Sequence, residues 1–258
     1  MTAPQRARFL ADYGHIRAAE GRGSKDPAYY RALPYSDLTG ANAEQWRIRA
    51  RSFDYFAAHI LPRRPCDILD LGAGNCWLSY RLAERNHRPV AVDIFTDPRD
   101  GLGAAVHYPV RFPVVEADFD HLPFAGEKFD LAVFASSIHY SADYSRTLRE
   151  ARRCLRRGGC VVILDSPVYR KRAHGEMMRA ERHAGFERQY GFRSDALASI
   201  EYFDRQMLAS LARELSFCWE IHRPWYGWRW GLRPLRARIA GRRPPSRFWI
   251  LVARFDQR

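Results

Sequence analysis

The segment Asp70-Leu71-Gly72-Ala73-Gly74 constrains the fold of this chain more than any other. An apolar run, Cys66 to Leu71, leads into it as a strand, and Cys76 to Arg85 leaves it as a helix. Glycines belong where backbone bends sharply and approaches a ligand closely. The helix that follows offers free N–H groups and the positive end of its dipole. A second apolar run, Pro89 to Ile94, carries Asp93, nineteen residues beyond Gly74. A carboxylate there can accept both hydroxyls of a ribose. The dinucleotide fingerprint G-x-G-x-x-G fails, because Trp77 occupies its third glycine position. Asp70, two residues before the first glycine, suits a ligand with an ammonium group better than one with phosphates.

The alternation continues past this unit. Phe112 to Ala117 reads as a third strand, weakened at its start by Pro113, and Phe129 to Ala135 as a fourth. Ser145 to Leu155 has helical spacing, Gly158-Gly159 stops it, and Cys160 to Leu164 is a fifth strand. Near-continuous apolar strands separated by helices predict an α/β fold with a mostly parallel sheet covered on both faces. Residues 1–64 read as an N-terminal helical cap. In it, Ala43 to Ile60 places Trp46, Ala50, Phe53, Ala57 and Ile60 on one face, so Trp46 is expected in the core. Residues 65–258 read as the sheet domain, with a helical insertion at about 166–214 made of stretches near 169–190 and 195–213. Phe217 to Ile221 and Phe248 to Arg254 read as two last strands.

Composition removes several classes. Apolar residues make up 47% of 258 residues, enough for a sizeable core. The longest apolar runs, such as Val161 to Leu164 and Trp249 to Ala253, fall far short of the roughly 20 residues that span a bilayer. The N-terminus shows no secretory pattern, so a cytoplasmic protein is expected. Five scattered cysteines without a CxxC pair imply free, buried thiols and no metal site. The net charge of +13 is uneven: residues 223–258 hold ten arginines and one acid, Asp256. That stretch reads first as a sheet connection with a basic surface. Its mixture of tryptophan and arginine also suits an anionic membrane surface or a nucleic acid.

Glu116-Ala117-Asp118-Phe119 follows the third strand, and an acid beside an aromatic can hold adenine by its amine and its face. An ammonium, a carboxylate, a ribose and an adenine together describe S-adenosylmethionine. From Asp67 to Asp165 the chain resembles the class I S-adenosylmethionine-dependent methyltransferases, of the small-molecule type that includes the ubiquinone and menaquinone biosynthesis enzymes. The resemblance implies a Rossmann-like sheet of seven strands whose last strand is antiparallel, filled here by Phe248 to Arg254. It implies that Asp70, Gly72, Ala73, Gly74 and Asn75 surround the methionine part. It puts Asp93 and Ile94 at the ribose, Asp118 and Phe119 at adenine, and Ser136 to His139 near the methyl group. S-adenosylhomocysteine would be the product. Cys76 departs from the family, which usually has a small residue there, often glycine.

For the chemistry, His139 at the end of the fourth strand is the candidate base, or else a hydrogen-bonding wall residue. Tyr140, Asp165 and Tyr169 are weaker candidates, and Asp165 is expected to cap a turn. Arg49 is a candidate partner for the cofactor carboxylate. His174, Glu176 and His183 lack the spacing of metal ligands and read as a solvated helix face. The expected activity is methylation of oxygen, nitrogen or carbon on a small-molecule acceptor. The alternatives are methylation of RNA through the basic C-terminal region, or a non-catalytic scaffold that binds the cofactor.

Overall fold

The computed structural model describes residues 3–191 and 198–255. In chain order its elements are α1 (Ala3–Ala19), α2 (Pro27–Ala32), α3 (Ala43–His59), β1 (Asp67–Leu71), α4 (Trp77–Ala83), β2 (Arg88–Asp93), β3 (Val114–Glu116) and β4 (Phe129–Ala135). They continue with α5 (Tyr144–Cys154), β5 (Leu155–Leu164), β6 (Val168–Tyr169), α6 (Arg172–Tyr190), β7 (Phe203–Asp204), α7 (Arg205–Glu214), β8 (Phe217–His222), α8 (Trp228–Gly231), α9 (Arg233–Ile239) and β9 (Ile250–Phe255). Seven strands form one sheet in the order β3-β2-β1-β4-β5-β9-β8. The first five are parallel, and β9 runs antiparallel to both β5 and β8. This is the expected Rossmann-like sheet with its antiparallel last strand.

The strands are apolar throughout because each supplies both faces. In β1, Ile68 packs with α3 and α4 residues, including Phe53, Trp77 and Leu78. Its neighbours Leu69 and Leu71 pack on the opposite side with Leu148, Ala151 and Leu211. The period of two explains this split and puts Asp70 on the α4 side with Ile68. Along α3, Trp46, Ala50 and Phe53 of the expected face are buried together with Phe56, which lies outside the expected stripe, while Ala57 and Ile60 are half-buried; Trp46 meets Trp77 edge-on at 5.9 Å.

Several boundaries differ from the sequence reading. Helix α5 stops at Cys154, before Gly158-Gly159. The glycine pair instead forms a bulge early in β5, where pairing jumps from Phe129–Leu155 to Leu131–Cys160. Residues 168–169 form a strand with 203–204 in a separate two-stranded sheet, so α6 begins only at Arg172. The helix expected at 195–213 begins at Arg205; residues 198–204 are not helical, and 195–197 lie outside the described residues. The last strand starts at Ile250, two residues after Phe248. Among the cysteines, four are buried and Cys218 is exposed.

Phe53 is fully buried between α3 and α4, with its ring 5.8 Å from that of Trp77. Replacing it with alanine should cost about 3–5 kcal/mol, read as a shifted midpoint in urea unfolding. A loss below about 1 kcal/mol would contradict the packing of the cap against the sheet.

Candidate functional site

The strand order reverses between β1 and β4, so their C-terminal ends open a crevice. The glycine turn occupies one lip. Gly72 has φ +71°, and a Cβ on it would lie 2.3 Å from the Cβ of Ser137, which follows β4. No other residue fits there. Ser137 Oγ donates to the Leu71 carbonyl, and the N–H groups of Gly72 and Ala73 both donate to the Val92 carbonyl at 2.8 and 3.0 Å. Cys76 takes φ +64°, a left-handed conformation that glycine adopts most freely, which accounts for the family's usual residue at that position.

Asp93 is held from two sides. The Gly74 N–H donates to Oδ2 at 2.8 Å, and the Phe95 N–H donates to Oδ1 at 2.9 Å. Each oxygen keeps a further lone pair for a ligand hydroxyl. Burial raises its pKa, while these backbone bonds oppose the rise.

Asp70 occupies a different place from the other turn residues. Its carboxylate lies beneath the turn, where Ser79 Oγ of α4 donates to Oδ2 at 2.7 Å. Oδ1 is buried with no partner, and burial pushes the group up to about 7. It does not line the crevice, so it supports the turn from below.

A cavity of about 1180 Å³ fills the crevice. Pockets for one drug-sized molecule run to roughly 300–1,000 Å³, so this one has room for two small molecules. Gly72, Ala73, Gly74, Asn75, Asp93, Ile94, Asp118, Phe119, Ser136, His139 and Arg49 all line it. Asp118 accepts the Asp120 N–H at 3.0 Å, and Phe119 rests edge-on against Phe134. Asn75 is tied in through its carbonyl, which accepts from Tyr108 Oη at 2.8 Å.

The sequence reading of residues 1–64 as a helical cap did not single out α1 as the part that covers this cavity. Helix α1 contributes Phe9, Tyr13, Ile16 and Arg17 to the lining. Tyr13 packs edge-on against Phe95 and Tyr140, at 5.1 and 5.8 Å. Arg17 pairs with the buried Asp100, and Arg6 pairs with Glu116 at 2.5 Å. The only sequence signal was the spacing of Phe9, Tyr13 and Ile16, one apolar stripe of a helix.

The far side of the cavity carries His139, Arg49 and Asp165. Burial, reinforced by Arg182 and Arg49, pushes the His139 imidazole down to about 3. It is therefore neutral at pH 7, with Nδ1 3.4 Å from Ser166 Oγ. So weak a base is suited to accepting a hydrogen bond rather than carrying a proton. The Arg49 guanidinium lies 4.6 Å from the centre of the Trp46 ring, and burial pushes it down to about 10. Among the described residues it has no ion-pair partner. Asp165 is not a turn cap: it accepts from Ser52 Oγ of α3, which also meets Tyr226 Oη at 2.8 Å. Tyr140 lines the cavity, whereas Tyr169 is turned to Arg243, which donates to its hydroxyl at 3.0 Å. Away from the cavity, Glu176 accepts from Tyr202 Oη and His183 bonds the buried Glu201, so that helix face is more tied down than a solvated one.

Residues 69–163 match the family described as "Methyltransferase domain". That stretch is thus similar to a methyltransferase domain. It is 34% identical over 112 residues to dimethylglycine N-methyltransferase of Parasynechococcus marenigrum, covering 42% of this chain and 40% of that one. It is 34% identical over 141 residues to demethylmenaquinone methyltransferase of Thermus thermophilus, covering 52% and 60%. Malonyl-[acyl-carrier protein] O-methyltransferase of Pseudescherichia vulneris is 26% identical over 172 residues, covering 59% and 66%. The match thus spans less than two thirds of each of these relatives. Among solved structures, the Burkholderia thailandensis 1,6-didemethyltoxoflavin-N1-methyltransferase, with bound 1,6-didemethyltoxoflavin and S-adenosylhomocysteine, superposes with a TM-score of 0.56 at 18% identity, covering 100% of this chain and 92% of that one. A Pyrococcus horikoshii protein reaches 0.60 at 19% identity, covering 89% and 99%. The fold of the methyltransferase domain is that of the S-adenosylmethionine-dependent methyltransferases.

Two outcomes follow for this site. Gly72→Ala should destabilise the domain by about 2–4 kcal/mol, from steric overlap plus the left-handed backbone. Gly74→Ala, whose Cβ would meet nothing closer than 3.8 Å, should cost only about 1 kcal/mol. Equal costs by urea unfolding would refute the role of Ser137. For His139, the unfolded imidazole takes its proton near pH 6.5, while the folded one does so only near 3. Between these values the unfolded chain binds more protons, so stability falls as the pH drops through that window. His139→Gln should flatten that fall, seen by comparing unfolding midpoints of the two proteins at neutral and acidic pH.

Proposed function

We propose that the chain transfers a methyl group from S-adenosylmethionine to a small-molecule acceptor. The observation that carries this reading is the Asp93 carboxylate, clasped by Gly74 and Phe95 at the switch point with both oxygens still able to accept. Those are the two acceptors a ribose diol needs. Asp118 and Phe119 then serve the adenine edge and face, and Ile94 packs beside the ribose. Gly72, Ala73, Gly74, Asn75 and Ser136 border the methionine part. Arg49, a cavity-lining cation with no ion pair among the described residues, suits its carboxylate.

The cofactor, when bound, supplies an electrophilic methyl group on a sulfonium. The protein's own contribution is to align the acceptor with it and to exclude water. Helix α1 provides the exclusion, through the Phe9, Tyr13 and Ile16 side chains over the cavity. His139 provides alignment: a neutral imidazole can accept a hydrogen bond from an amine or donate its own N–H to a carboxylate. Its depressed basicity favours acceptors that need no strong base before transfer, such as a neutral amine or an already ionised carboxylate. The relatives named above include both N- and O-methyltransferases, in keeping with such nucleophiles.

Isothermal titration with S-adenosylhomocysteine tests the reading. Binding is expected, and Asp93→Ala should weaken it by about ten- to a hundredfold, the loss of charge-assisted hydrogen bonds to a diol. No binding, or binding unchanged in the variant, would overturn it. Transfer of labelled methyl to a panel of small amines and carboxylic acids then identifies the acceptor class.

A further inference from the structure

The connection between β8 and β9 carries a surface that methyl transfer does not use. Among the described residues, eleven large hydrophobic side chains are exposed, and five of them fall within residues 225–239: Trp225, Trp228, Leu232, Leu235 and Ile239. Single exposed apolar residues are ordinary, but a cluster of this kind marks an interaction site. Helices α8 and α9 run almost end to end, since Leu232 between them keeps a right-handed helical backbone and Arg236 N–H donates to its carbonyl. Trp228, Leu232, Leu235 and Ile239 therefore recur at steps of four, three and four and share one face. Trp228, Leu235 and Ile239 on that face are 61%, 54% and 79% exposed. The opposite face, with Trp230 and Arg233, lines the cavity.

The charges around the stripe name its partner. Between Glu220 and Asp256 the chain has nine arginines and no acid. Arg229 and Arg236 flank one side of the stripe and Arg238 the other, and all three are exposed. A tryptophan and aliphatic stripe between arginines, on a helix lying along the surface, is what an anionic lipid interface takes up: apolar groups enter the acyl boundary and guanidinium groups meet the headgroups. A nucleic acid would use the arginines and could stack on Trp228, but it offers nothing for Leu235 and Ile239. We infer that the Trp225–Ile239 face docks this protein on anionic membrane surfaces. The assignment stands independently of methyl transfer. It also brings the wall of the cavity, through Trp230 and Arg233, next to the lipid.

Co-sedimentation of the full chain with vesicles tests it. Mixed phosphatidylcholine–phosphatidylglycerol vesicles should carry the protein down, and phosphatidylcholine vesicles should do so far less. Two variants separate the contributions. Trp228→Ser/Leu235→Ser/Ile239→Ser should weaken binding by about tenfold or more through the apolar stripe, and Arg229→Gln/Arg236→Gln/Arg238→Gln should weaken it comparably through charge. Failure to bind the anionic vesicles would overturn the inference. So would binding that the serine variant leaves intact, which would signal plain charge attraction. Tight binding to single-stranded RNA with no binding to vesicles would assign the surface to nucleic acid instead.

Discussion

The approach of Gly72 to Ser137 is the contact on which the rest of the site depends. With no room for a Cβ between them, the end of β1 and the residue after β4 close to contact distance at the one place where the sheet order reverses. Ser137 then hydrogen-bonds the Leu71 carbonyl, and the turn is pressed onto Val92 of β2 by two backbone bonds. Asp93, next along β2, reaches the Gly74 N–H only because the turn is held there. One steric condition thus orders three strands and the carboxylate between them.

Beneath the turn, the structure accepts an unfavourable arrangement. Asp70 has one carboxylate oxygen bonded by Ser79 and the other buried without a partner. A half-satisfied buried acid costs stability, and such costs are retained where a ligand or a required geometry repays them. On the far wall, burial likewise disfavours the charged forms of Arg49 and His139; Arg49 makes no ion pair among the described residues and feels Asp165 and Asp100 only at longer range.

Much of this was legible in the residues. The unit from Asp67 to Asp93 could be read because its periodicity, glycines and acids are local; the last strand showed as an apolar run near the C-terminus, and its antiparallel direction was implied only by the resemblance. Three features were not legible, each for a physical reason. The Ser52–Asp165–Tyr226 cluster joins residues that are distant in the chain and close only in the fold, so no spacing announces it. Helix α1 shows only Phe9, Tyr13 and Ile16 as an apolar stripe among polar residues, too little to single it out as a cover. The stripe of α8 and α9 has a periodicity that usually means core, and only the structure shows it facing outward.

Two of the ion pairs that tie α1 to the rest of the described structure are unequal, and that gives the cover a direction. At one end Arg17 and Asp100 are nearly closed off from solvent, with 14% and 5% of their side chains exposed; at the other, Arg6 and Glu116 are 38% and 55% exposed. An exposed pair yields readily, while separating a buried one strands charge away from water. The helix is consequently tied more firmly at its Arg17 end than at its Arg6 end, so any lifting of the cover would begin beside β3.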